Sequence, residues 1–192
     1  MQDPIIKFTA WWREAKADSP LIQKSPVCVS TINEDGYPTG RFVDLKSISD
    51  EGFTFCTSYG SNKGLDIDRN PKISLTVWWE HVGYQVRVIG SAERISKSEA
   101  IKYWESRSQE AHITTLCSEQ SKPMDSEMQL ISKFEQISEK AHQSTVPKPK
   151  DWGGYLTKPN SIEFLTFREN RLHLREFYRI TDDGWKKSLL QP

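Results

Sequence analysis

Strand-like segments separated by tight turns dominate the first half of the chain. Five stretches rich in β-branched and aromatic residues lie between residues 27 and 95, and short turns containing glycine separate several of them. Turns of this length join antiparallel neighbours, and a run of hairpins buries its apolar face by closing into a small barrel. We predict strands at 27–32, 39–48, 53–57, 73–80 and 84–95.

The signals for long helices lie outside this run of strands. Residues 4–17 carry apolar residues at helical spacing behind an initial proline, and residues 125–143 carry a second apolar stripe. A helix is also predicted over 96–107, because Ser96 and Glu99 form a capping box at its start. The predicted fold class is therefore α+β, mainly antiparallel β, with peripheral helices.

The C-terminal part begins with an interruption of the pattern. Residues 146–155 are rich in proline and glycine, and we predict that they are irregular. Strands are expected to resume near Ile162, Arg171 and Trp185. A chain of 192 residues can bury the core of one domain, so we predict a single domain over residues 1–192.

The charge balance argues against a nucleic-acid or membrane partner. Lys plus Arg and Asp plus Glu both number 26, so no global field attracts anionic polymers and an anion site has to be a local cluster. Cys28, Cys56 and Cys117 have neither paired nor metal-ligand spacing, which predicts no disulfide framework and no metal site. No apolar run reaches the length of a membrane span. We therefore expect a cytoplasmic protein.

The loop at residues 57–64 is dense in hydroxyl and amide groups and joins a strand to a short helical stretch. Ser61 is placed to cap that helix, and Lys63 lies beside its unpaired N–H groups and the positive end of its dipole. These features together favour the binding of a phosphoryl group. The alternative is an ordinary capped loop without a ligand, and the spacing alone leaves both open.

A second cationic cluster lies near the C-terminus. Arg171, His173 and Arg175 alternate with Leu172 and Leu174, so in an extended strand the three nitrogen-rich side chains leave one face while the leucines face the core. Such a face can grip a phosphate or a carboxylate. The alternative is an edge strand whose charged side chains are only solvated.

Two further pairs of side chains offer anion contacts. Arg41 and Lys46 share one strand segment but point to opposite faces unless a bulge intervenes, which suits two adjacent ligands. Tyr103 and Arg107 are four residues apart and would lie on one helix face, where a phenol and a guanidinium reach the same anion. A surface contact between them is the alternative.

These segments together resemble the pyridoxamine 5'-phosphate oxidase family over nearly the whole chain. The resemblance rests on the stretches Trp152 to Tyr155, Ile162 to Phe164 and Arg171 to Arg175, supported by Arg41 to Lys46, Gly60 to Lys63, Asn70 and Pro71, Gln85 to Val88 and Lys102 to Arg107. It implies an FMN-binding split β-barrel that works as a homodimer, with each flavin held between the subunits. It also implies that residues 146–192 form a C-terminal dimerisation and substrate-clamp region.

The resemblance assigns roles to individual residues by position. The implied FMN contacts are Arg41, Phe42, Val43, Asp44, Leu45, Lys46, Cys56, Thr57, Ser61, Asn62, Lys63, Gln85, Gln120, Ser121, Leu165 and Arg175. The implied substrate contacts are Lys46, Tyr103, Arg107, Ala111, Arg171 and His173, of which Arg171 and His173 are catalytic. Because Arg41, Lys63 and Gln85 lie on barrel segments, we expect Gln120 and Arg175 to reach the flavin from the partner subunit.

Several predicted site positions depart from the family pattern. Cys56 stands where the family usually has tyrosine, and Asn62 stands where it has arginine. Ala111 replaces a serine, Leu165 replaces a tryptophan and Leu174 replaces an acidic residue. The resemblance still implies FMN binding, because Arg41, Lys63, Gln85 and Arg175 are retained.

The activity implied by the resemblance is an FMN-dependent oxidation of pyridoxamine or pyridoxine 5'-phosphate to pyridoxal 5'-phosphate, with oxygen as acceptor. The loop with Ser61 and Lys63 then cradles the FMN phosphate, and Lys46, Tyr103 and Arg107 hold the substrate phosphate. Two alternatives stay open: a related FMN oxidoreductase for another flat substrate of the phenazine type, or a flavin- or pyridoxal-phosphate-binding protein with little turnover.

Overall fold

A computed structural model describes residues 3–23, 25–141 and 146–192 of the chain. The helices are α1 (Pro4–Ala17), α2 (Asn62–Arg69), α3 (Lys97–Glu105), α4 (Gln109–Cys117) and α5 (Glu127–Ala141). The strands are β1 (Pro26–Ile32), β2 (Pro38–Ser49), β3 (Gly52–Ser58), β4 (Lys72–Trp79), β5 (Tyr84–Arg94), β6 (Trp152–Thr166), β7 (Leu174–Thr181) and β8 (Gly184–Leu190). A short 3-10 turn (Glu80–Val82) joins β4 to β5.

The strands form one antiparallel sheet that closes on itself. Their order is β3-β2-β1-β4-β5-β6-β7-β8, and a further pairing of β3 with β6 closes the first six into a barrel. The 15 residues of β6 make the closure possible, because β5 pairs along one edge from Tyr155 to Thr166, whereas β3 pairs with the first part of β6 and β7 with its last part. The predicted fold class, a mainly antiparallel barrel with peripheral helices, is confirmed.

Large apolar side chains from the strands fill the barrel. Phe53, Phe55, Ile162 and Phe164 have no measurable exposure, and burying each such side chain stabilises the fold by roughly 1.5 to 3 kcal/mol. Helix α1 packs against this core through Phe8, whose ring meets that of Phe53 edge to face with 4.7 Å between centroids. The barrel is thus a packed scaffold, and ligands have to bind on its outside.

Most predicted boundaries are confirmed to within two residues. Helix α1 occupies the predicted 4–17, with Asp3 as the N-cap that accepts the backbone N–H of Ile5 at 2.7 Å. The five strands predicted before residue 96 correspond to β1 to β5. The helix predicted over 125–143 is observed as α5, and its last two predicted residues lie outside the described ranges. Within those ranges, no helix is long and apolar enough to cross a membrane.

The segment after Ser96 differs from its prediction. Ser96 and Glu99 form the expected capping box, but α3 ends at Glu105 instead of continuing to residue 107. Ser108 then caps a separate helix, α4, which the sequence did not predict. The break separates Tyr103 on α3 from Arg107 and from Ala111 on α4, three residues that the sequence assigns to substrate binding.

The prediction of irregular structure over 146–155 is wrong from Trp152 onward, where β6 begins. Glycine is required here by close packing, since a Cβ added to Gly153 would lie 2.1 Å from the hydroxyl oxygen of Tyr59. The same hydroxyl oxygen accepts the backbone N–H of Gly154 at 3.2 Å. Gly153 and Gly154 therefore allow the side chain of Tyr59 to pack directly against the backbone of β6, and glycine often marks such close approaches in sheets.

Candidate active site

Lys63 is the central residue of the loop between β3 and α2. It is almost fully buried, at 5 % relative exposure, although lysine normally keeps its ammonium group in water. Its Nζ donates to Thr57 Oγ1 at 3.1 Å and to Ser61 Oγ at 3.3 Å. Ser61 caps α2, since its Oγ accepts the backbone N–H of Gly64 at 3.4 Å. Thr57, Ser61 and Lys63, here called the cradle, thus bring a cation and two hydroxyls to a helix N-terminus.

The charge of Lys63 is not neutralised within the described part of the chain. No described carboxylate lies within ion-pair distance of its Nζ. Burial, together with the positive charge of Arg41, lowers the pKa of Lys63 to about 8. A buried cation without a partner is costly. The geometry therefore favours an anion-binding cradle over a simple helix cap.

Arg41 on β2 is fixed close to the cradle. Its Nη1 donates to Thr31 Oγ1 at 2.7 Å and its Nη2 donates to Thr39 Oγ1 at 2.8 Å. Asp66 of α2 lies 3.7 Å from Nη2 and also accepts the hydroxyl of Thr31 at 2.6 Å. Asp66 therefore offsets the charge of Arg41 and ties α2 to the barrel.

Gln120, between α4 and α5, reaches the cradle of its own chain. Its Oε1 accepts the hydroxyl of Thr57 at 3.0 Å and the backbone N–H of Ser58 at 3.2 Å. Ser121 follows with φ of +72°, a left-handed conformation that turns the chain at this point. The structure thus assigns Gln120 to the same chain as the cradle, contrary to the expectation that it reaches from a partner.

A cavity of about 470 Å³ opens beside the cradle. Its wall includes Cys56, Thr57, Arg107, Gln120 and Trp152. Hydroxyl, amide and guanidinium groups therefore face the same space as an aromatic ring, and the volume is in the range of small-molecule sites, roughly 300 to 1,000 Å³.

Lys46 lies at a β-bulge of β2. The register of β2 against β3 shifts between Leu45 and Ser47, so Lys46 is the extra residue of the bulged strand. Its Nζ pairs with Asp44 Oδ2 at 2.6 Å, on the exposed side of the strand. The sequence predicted that Arg41 and Lys46 point to opposite faces of the sheet unless a bulge intervenes. Such a bulge is present, so the two side chains are not restricted to opposite faces.

Cys56 lies within the influence of two cations. Burial raises the pKa of the Cys56 thiol to about 12, against the lowering effect of Lys46 and Arg107. The thiol is therefore neutral at physiological pH and is not a nucleophile. The charges of Lys46 and Arg107 therefore both act on the position of Cys56.

Arg107 is held in a fixed position after α3. Its Nη1 donates to Thr115 Oγ1 at 2.8 Å, and Thr115 in turn donates to the carbonyl of Ala111 at 2.9 Å. The guanidinium also lies over the rings of Trp152 and Trp104, at 4.8 and 5.1 Å from their centroids. These contacts orient the cation at the wall of the cavity.

The predicted helical pairing of Tyr103 with Arg107 is not observed, because α3 ends at Glu105. The Tyr103 hydroxyl instead forms a hydrogen bond of 2.5 Å with Ser47 Oγ on β2. Tyr103 therefore lies beside the bulge that carries Lys46, while Arg107 lies at the cavity.

A second set of predicted residues lies on the outer face of the sheet. Gln85 on β5 pairs in register with Leu165 on β6, which pairs with Arg175 on β7, so all three side chains leave the same face. The Arg175 Nε donates to Glu163 Oε1 at 2.8 Å, and its Nη1 donates to the carbonyl of Gln191 at 2.9 Å. We call these three residues the outer row. The sequence analysis grouped Gln85 with Arg41 and Lys63, but in the structure Gln85 lies beside Leu165 and Arg175.

The cradle and the outer row are separated along β6. Thr57 pairs with Gly153 near the start of this strand, whereas Leu165 lies near its end. Leu165 follows Gly153 by twelve residues, which span up to about 40 Å of extended strand. This separation favours a site that is shared between two chains over one that is complete in a single chain.

The predicted strand that presents Arg171, His173 and Arg175 on one face is wrong. β7 begins only at Leu174, and Arg171 has a left-handed backbone with φ of +62°, which is incompatible with a strand. Leu172 is 61 % exposed and does not pack in the core. Arg171 and His173 therefore lie in a turn, whereas Arg175 lies at the start of a strand.

His173 is held by the turn that precedes β7. Its Nδ1 accepts the backbone N–H of Arg168 at 3.0 Å, and its ring meets Phe167 edge to face at 5.1 Å. Because Nδ1 is an acceptor, the neutral ring carries its proton on Nε2 and can donate that proton in a hydrogen bond to a ligand. The exposed Arg171 lies in the same turn, with its backbone N–H bonded to the carbonyl of Arg168 at 3.1 Å.

The remaining predicted cofactor residues flank these groups. Phe42 is exposed on β2, Val43 packs half-buried against the core, and Leu45 is buried. Asn62 is the exposed first residue of α2 and offers a polar side chain next to the cradle.

Three residues that the sequence reading did not single out hold the predicted cations in place: Asp66 for Arg41, Thr115 for Arg107 and Glu163 for Arg175. None is adjacent to its partner in the sequence. Of the three, only Glu163 lies in a segment that supports the family resemblance, the Ile162 to Phe164 stretch, so only Glu163 could have been noticed from the sequence.

Two family models cover most of the chain. One described as "Pyridoxamine 5'-phosphate oxidase" matches residues 14–141, and one described as "Pyridoxine 5'-phosphate oxidase C-terminal dimerisation region" matches residues 152–192. Curated relatives include pyridoxine/pyridoxamine 5'-phosphate oxidases from Shewanella halifaxensis, 40 % identical, and from Leptospira biflexa, 36 % identical. Each match covers 99 % of this chain and 89 % of the relative.

Solved structures share the fold over the full chain. PhzG from Burkholderia lata, in complex with tetrahydrophenazine-1-carboxylic acid, has a TM-score of 0.93 at 28 % identity and covers 100 % of this chain and 94 % of its own. A pyridoxamine 5'-phosphate oxidase-related, FMN-binding protein from Nostoc punctiforme has a TM-score of 0.82 at 18 % identity over 100 % of both chains, and it supports the fold alone. The chain belongs to the pyridoxamine 5'-phosphate oxidase family of FMN-dependent oxidoreductases.

Proposed function

We propose that the protein is an FMN-dependent oxidase that converts pyridoxamine or pyridoxine 5'-phosphate to pyridoxal 5'-phosphate, with oxygen as acceptor. The observation that carries the proposal is the buried Lys63, which no described carboxylate neutralises, in its hydroxyl cradle. The names of the curated relatives support the choice of substrate. When bound, FMN would supply the redox chemistry: two electrons and two protons leave the substrate and reduce oxygen to hydrogen peroxide, and with the amine substrate water then replaces the nitrogen, which leaves as ammonia.

The residues of the cradle fit the phosphate of FMN. Lys63 and Arg41 supply positive charge, Thr57 and Ser61 supply hydroxyls, and α2 supplies its N-terminus. Each charge-assisted hydrogen bond of this kind contributes roughly 1.5 to 3 kcal/mol. The phosphate also neutralises a lysine whose burial is otherwise unfavourable.

We propose that Lys46, Tyr103 and Arg107 hold the phosphate of the substrate. The charges of Lys46 and Arg107 both act on Cys56, which supports their convergence on one ligand. Thr115 fixes the Arg107 guanidinium, and the Tyr103 hydroxyl is bonded to the strand that carries Lys46. Because these groups are already oriented, little conformational freedom is lost when the ligand binds.

Arg171 and His173 are proposed to orient the carbon that is oxidised. His173 is a hydrogen-bond donor through Nε2, since its Nδ1 accepts the N–H of Arg168. Arg171 and His173 come four and two residues before Arg175 of the outer row, so all three lie near the start of β7. In this proposal, Arg171 and His173 position the substrate beside the cofactor.

We propose that two chains share each site. The sheet face that carries the outer row also exposes Phe42 (72 %), Trp78 (61 %) and Ile89 (57 %). An exposed apolar face of this kind is typical of a protein interface. The match of residues 152–192 to a C-terminal dimerisation region supports the same conclusion. Residues 146–192 then act as the dimerisation and substrate-clamp part of a single domain spanning residues 1–192.

One comparison favours a second candidate function. PhzG from Burkholderia lata was solved with tetrahydrophenazine-1-carboxylic acid, and its fold matches this chain at a TM-score of 0.93. Ala111 also offers no hydroxyl at a position where the resemblance implies serine beside the substrate phosphate. The second candidate is therefore an FMN oxidoreductase that acts on a flat, carboxylated, phenazine-type substrate.

An anaerobic titration tests both functions. The protein is reconstituted with FMN, and its visible spectrum is recorded before and after pyridoxamine 5'-phosphate is added without oxygen. Loss of the flavin absorbance, restored by air with release of hydrogen peroxide, supports the oxidase. A flavin that bleaches only with a reduced phenazine carboxylate favours the second function, and a protein that takes up no FMN contradicts both.

A further inference from the structure

Glu163 is a buried carboxylate between two arginines on the outer face of the sheet. Its side chain is 7 % exposed, and its Oε1 lies 2.8 Å from both the Nε and the Nη2 of Arg175. Its Oε2 pairs with Arg87 on β5. Burial alone would raise the pKa of Glu163, but the hydrogen bonds from Arg175 and Arg87 outweigh it and hold the pKa below its usual range. The carboxylate is therefore ionised and fully engaged.

Arg175 is held at two points. Glu163 binds one edge of its guanidinium, and the carbonyl of Gln191, next to the C-terminal residue, accepts from Nη1 at 2.9 Å. A guanidinium bound on two sides has little freedom to change rotamer. Because Arg175 pairs in register with Leu165, this fixed cation belongs to the outer row.

We propose that Glu163 is a positioning residue of the flavin site, which holds Arg175 in the orientation that contacts FMN. This inference rests on the proposed function, in which Arg175 reaches the flavin. Glu163 itself does not touch the cofactor in this account. Because Glu163 already orders the Arg175 side chain, little conformational entropy of Arg175 is lost when FMN binds. The same contact keeps the guanidinium from turning into solvent.

Glu176 offers a matched control on the neighbouring strand. It is also a buried carboxylate between two cations, here Lys7 of α1 and Lys187 of β8. It lies on the opposite face of β7 from Arg175, and none of its ion-pair partners is a candidate site residue. Substitution of either glutamate breaks a similar buried pair, so both variants lose stability, but only one of them is expected to affect the flavin.

The test compares Glu163→Gln with Glu176→Gln by FMN titration, following the quenching of flavin fluorescence. Glutamine keeps the shape of glutamate and removes its charge. We expect Glu163→Gln to weaken FMN binding by roughly tenfold, whereas Glu176→Gln leaves the dissociation constant within about twofold of the original. Equal FMN affinity in the two variants, in a protein that binds FMN normally before substitution, overturns the inference and leaves the proposed function intact.

A double-mutant cycle separates positioning from a general structural effect. If Glu163 acts through Arg175, Glu163→Gln has no further effect on FMN binding in an Arg175→Ala background. A full additional loss in that background contradicts the inference. Should the Arg175→Ala chain not fold, Arg175→Lys serves as the background, because lysine cannot span the contacts to both Glu163 and Gln191. If the unsubstituted protein takes up no FMN, the result contradicts the proposed function and not the inference about Glu163.

Discussion

Replacing Lys63 by methionine should stabilise the protein without its cofactor and at the same time weaken its binding of FMN. Methionine has a similar length and no charge, and it suits the buried position. The opposite signs follow from the same fact: the ammonium group is desolvated and no described carboxylate offsets its charge. If Lys63 did not contact FMN, its replacement would still stabilise the protein but would leave FMN affinity unchanged.

The size of the stabilisation follows from the pKa of Lys63. Burial lowers it from 10.5 to about 8, and at 1.36 kcal/mol per pKa unit the penalty for the charged form is about 3 kcal/mol. The hydrogen bonds to Thr57 and Ser61 are lost with the ammonium group, at roughly 1 kcal/mol in total, because both hydroxyls keep other partners. The net stabilisation by methionine at pH 7 is therefore about 2 kcal/mol.

The pH dependence has a definite sign. Below pH 8 the lysine is protonated in both the folded and the unfolded chain, so the full penalty is present. Between pH 8 and 10.5 the unfolded chain keeps a proton that the folded chain has released, so the stability of the original protein rises with pH. The advantage of Lys63→Met therefore shrinks across this window.

Urea denaturation of the FMN-free proteins, at one fixed protein concentration and at several pH values, measures the effect. Lys72→Met, which removes an exposed lysine on β4, is the control and should change stability little. FMN titration of the same samples should show a loss of roughly 1.5 to 3 kcal/mol of binding free energy in Lys63→Met alone. A Lys63→Met protein that is less stable than the original at pH 7, or that binds FMN equally well, refutes the reasoning.

Further predictions concern the substrate and the interface. Arg107→Ala should mainly raise KM, because the guanidinium binds the substrate phosphate in ground and transition state alike. Arg171→Ala should lower kcat as well. Steady-state kinetics in which Arg107→Ala lowers kcat and Arg171→Ala changes only KM would contradict these roles. Ala111→Ser should lower KM for pyridoxamine 5'-phosphate, and no change in KM would favour a substrate without a phosphate. Phe42→Glu, on the exposed apolar face, should convert dimer to monomer in light scattering and release FMN, and a dimer that persists with its flavin is the contrary result.

The barrel itself was predictable because its signals are local. Alternating apolar residues and glycine turns specify each hairpin within about ten residues, and consecutive hairpins have few ways to close. Ser61 and Lys63 were predictable for the same reason, since the cap, the helix start and the lysine lie within three residues of one another. The burial of Lys63 was not, because it depends on how α2 packs against β1.

The remaining differences have physical causes that spacing does not contain. The left-handed backbone of Arg171 occurs at a residue without any preference for it. The local turn signal is the preceding Asn170, whose Oδ1 accepts the backbone N–H of Leu172 at 3.0 Å. Helix α4 buries only Ile113 and Cys117, too little apolar surface for a recognisable stripe. Without α4 the path to Gln120 was unknown, and so the chain that donates Gln120 to the cradle was assigned wrongly. Pairings such as Glu163 with Arg175 arise only from sheet register.

The most direct test of the account is complementation between two defective chains. Lys63→Ala removes the cradle and Arg175→Ala removes the outer row, and the two are co-expressed with different tags at an FMN concentration at which neither alone retains flavin. If each site takes its cradle from one chain and its outer row from the other, half of the randomly formed dimers are mixed and each carries one intact site, which restores about one quarter of the FMN sites. Recovery near that level, with flavin that bleaches on anaerobic addition of pyridoxamine 5'-phosphate, is the predicted result. Mixed dimers that bind no FMN would contradict the shared site.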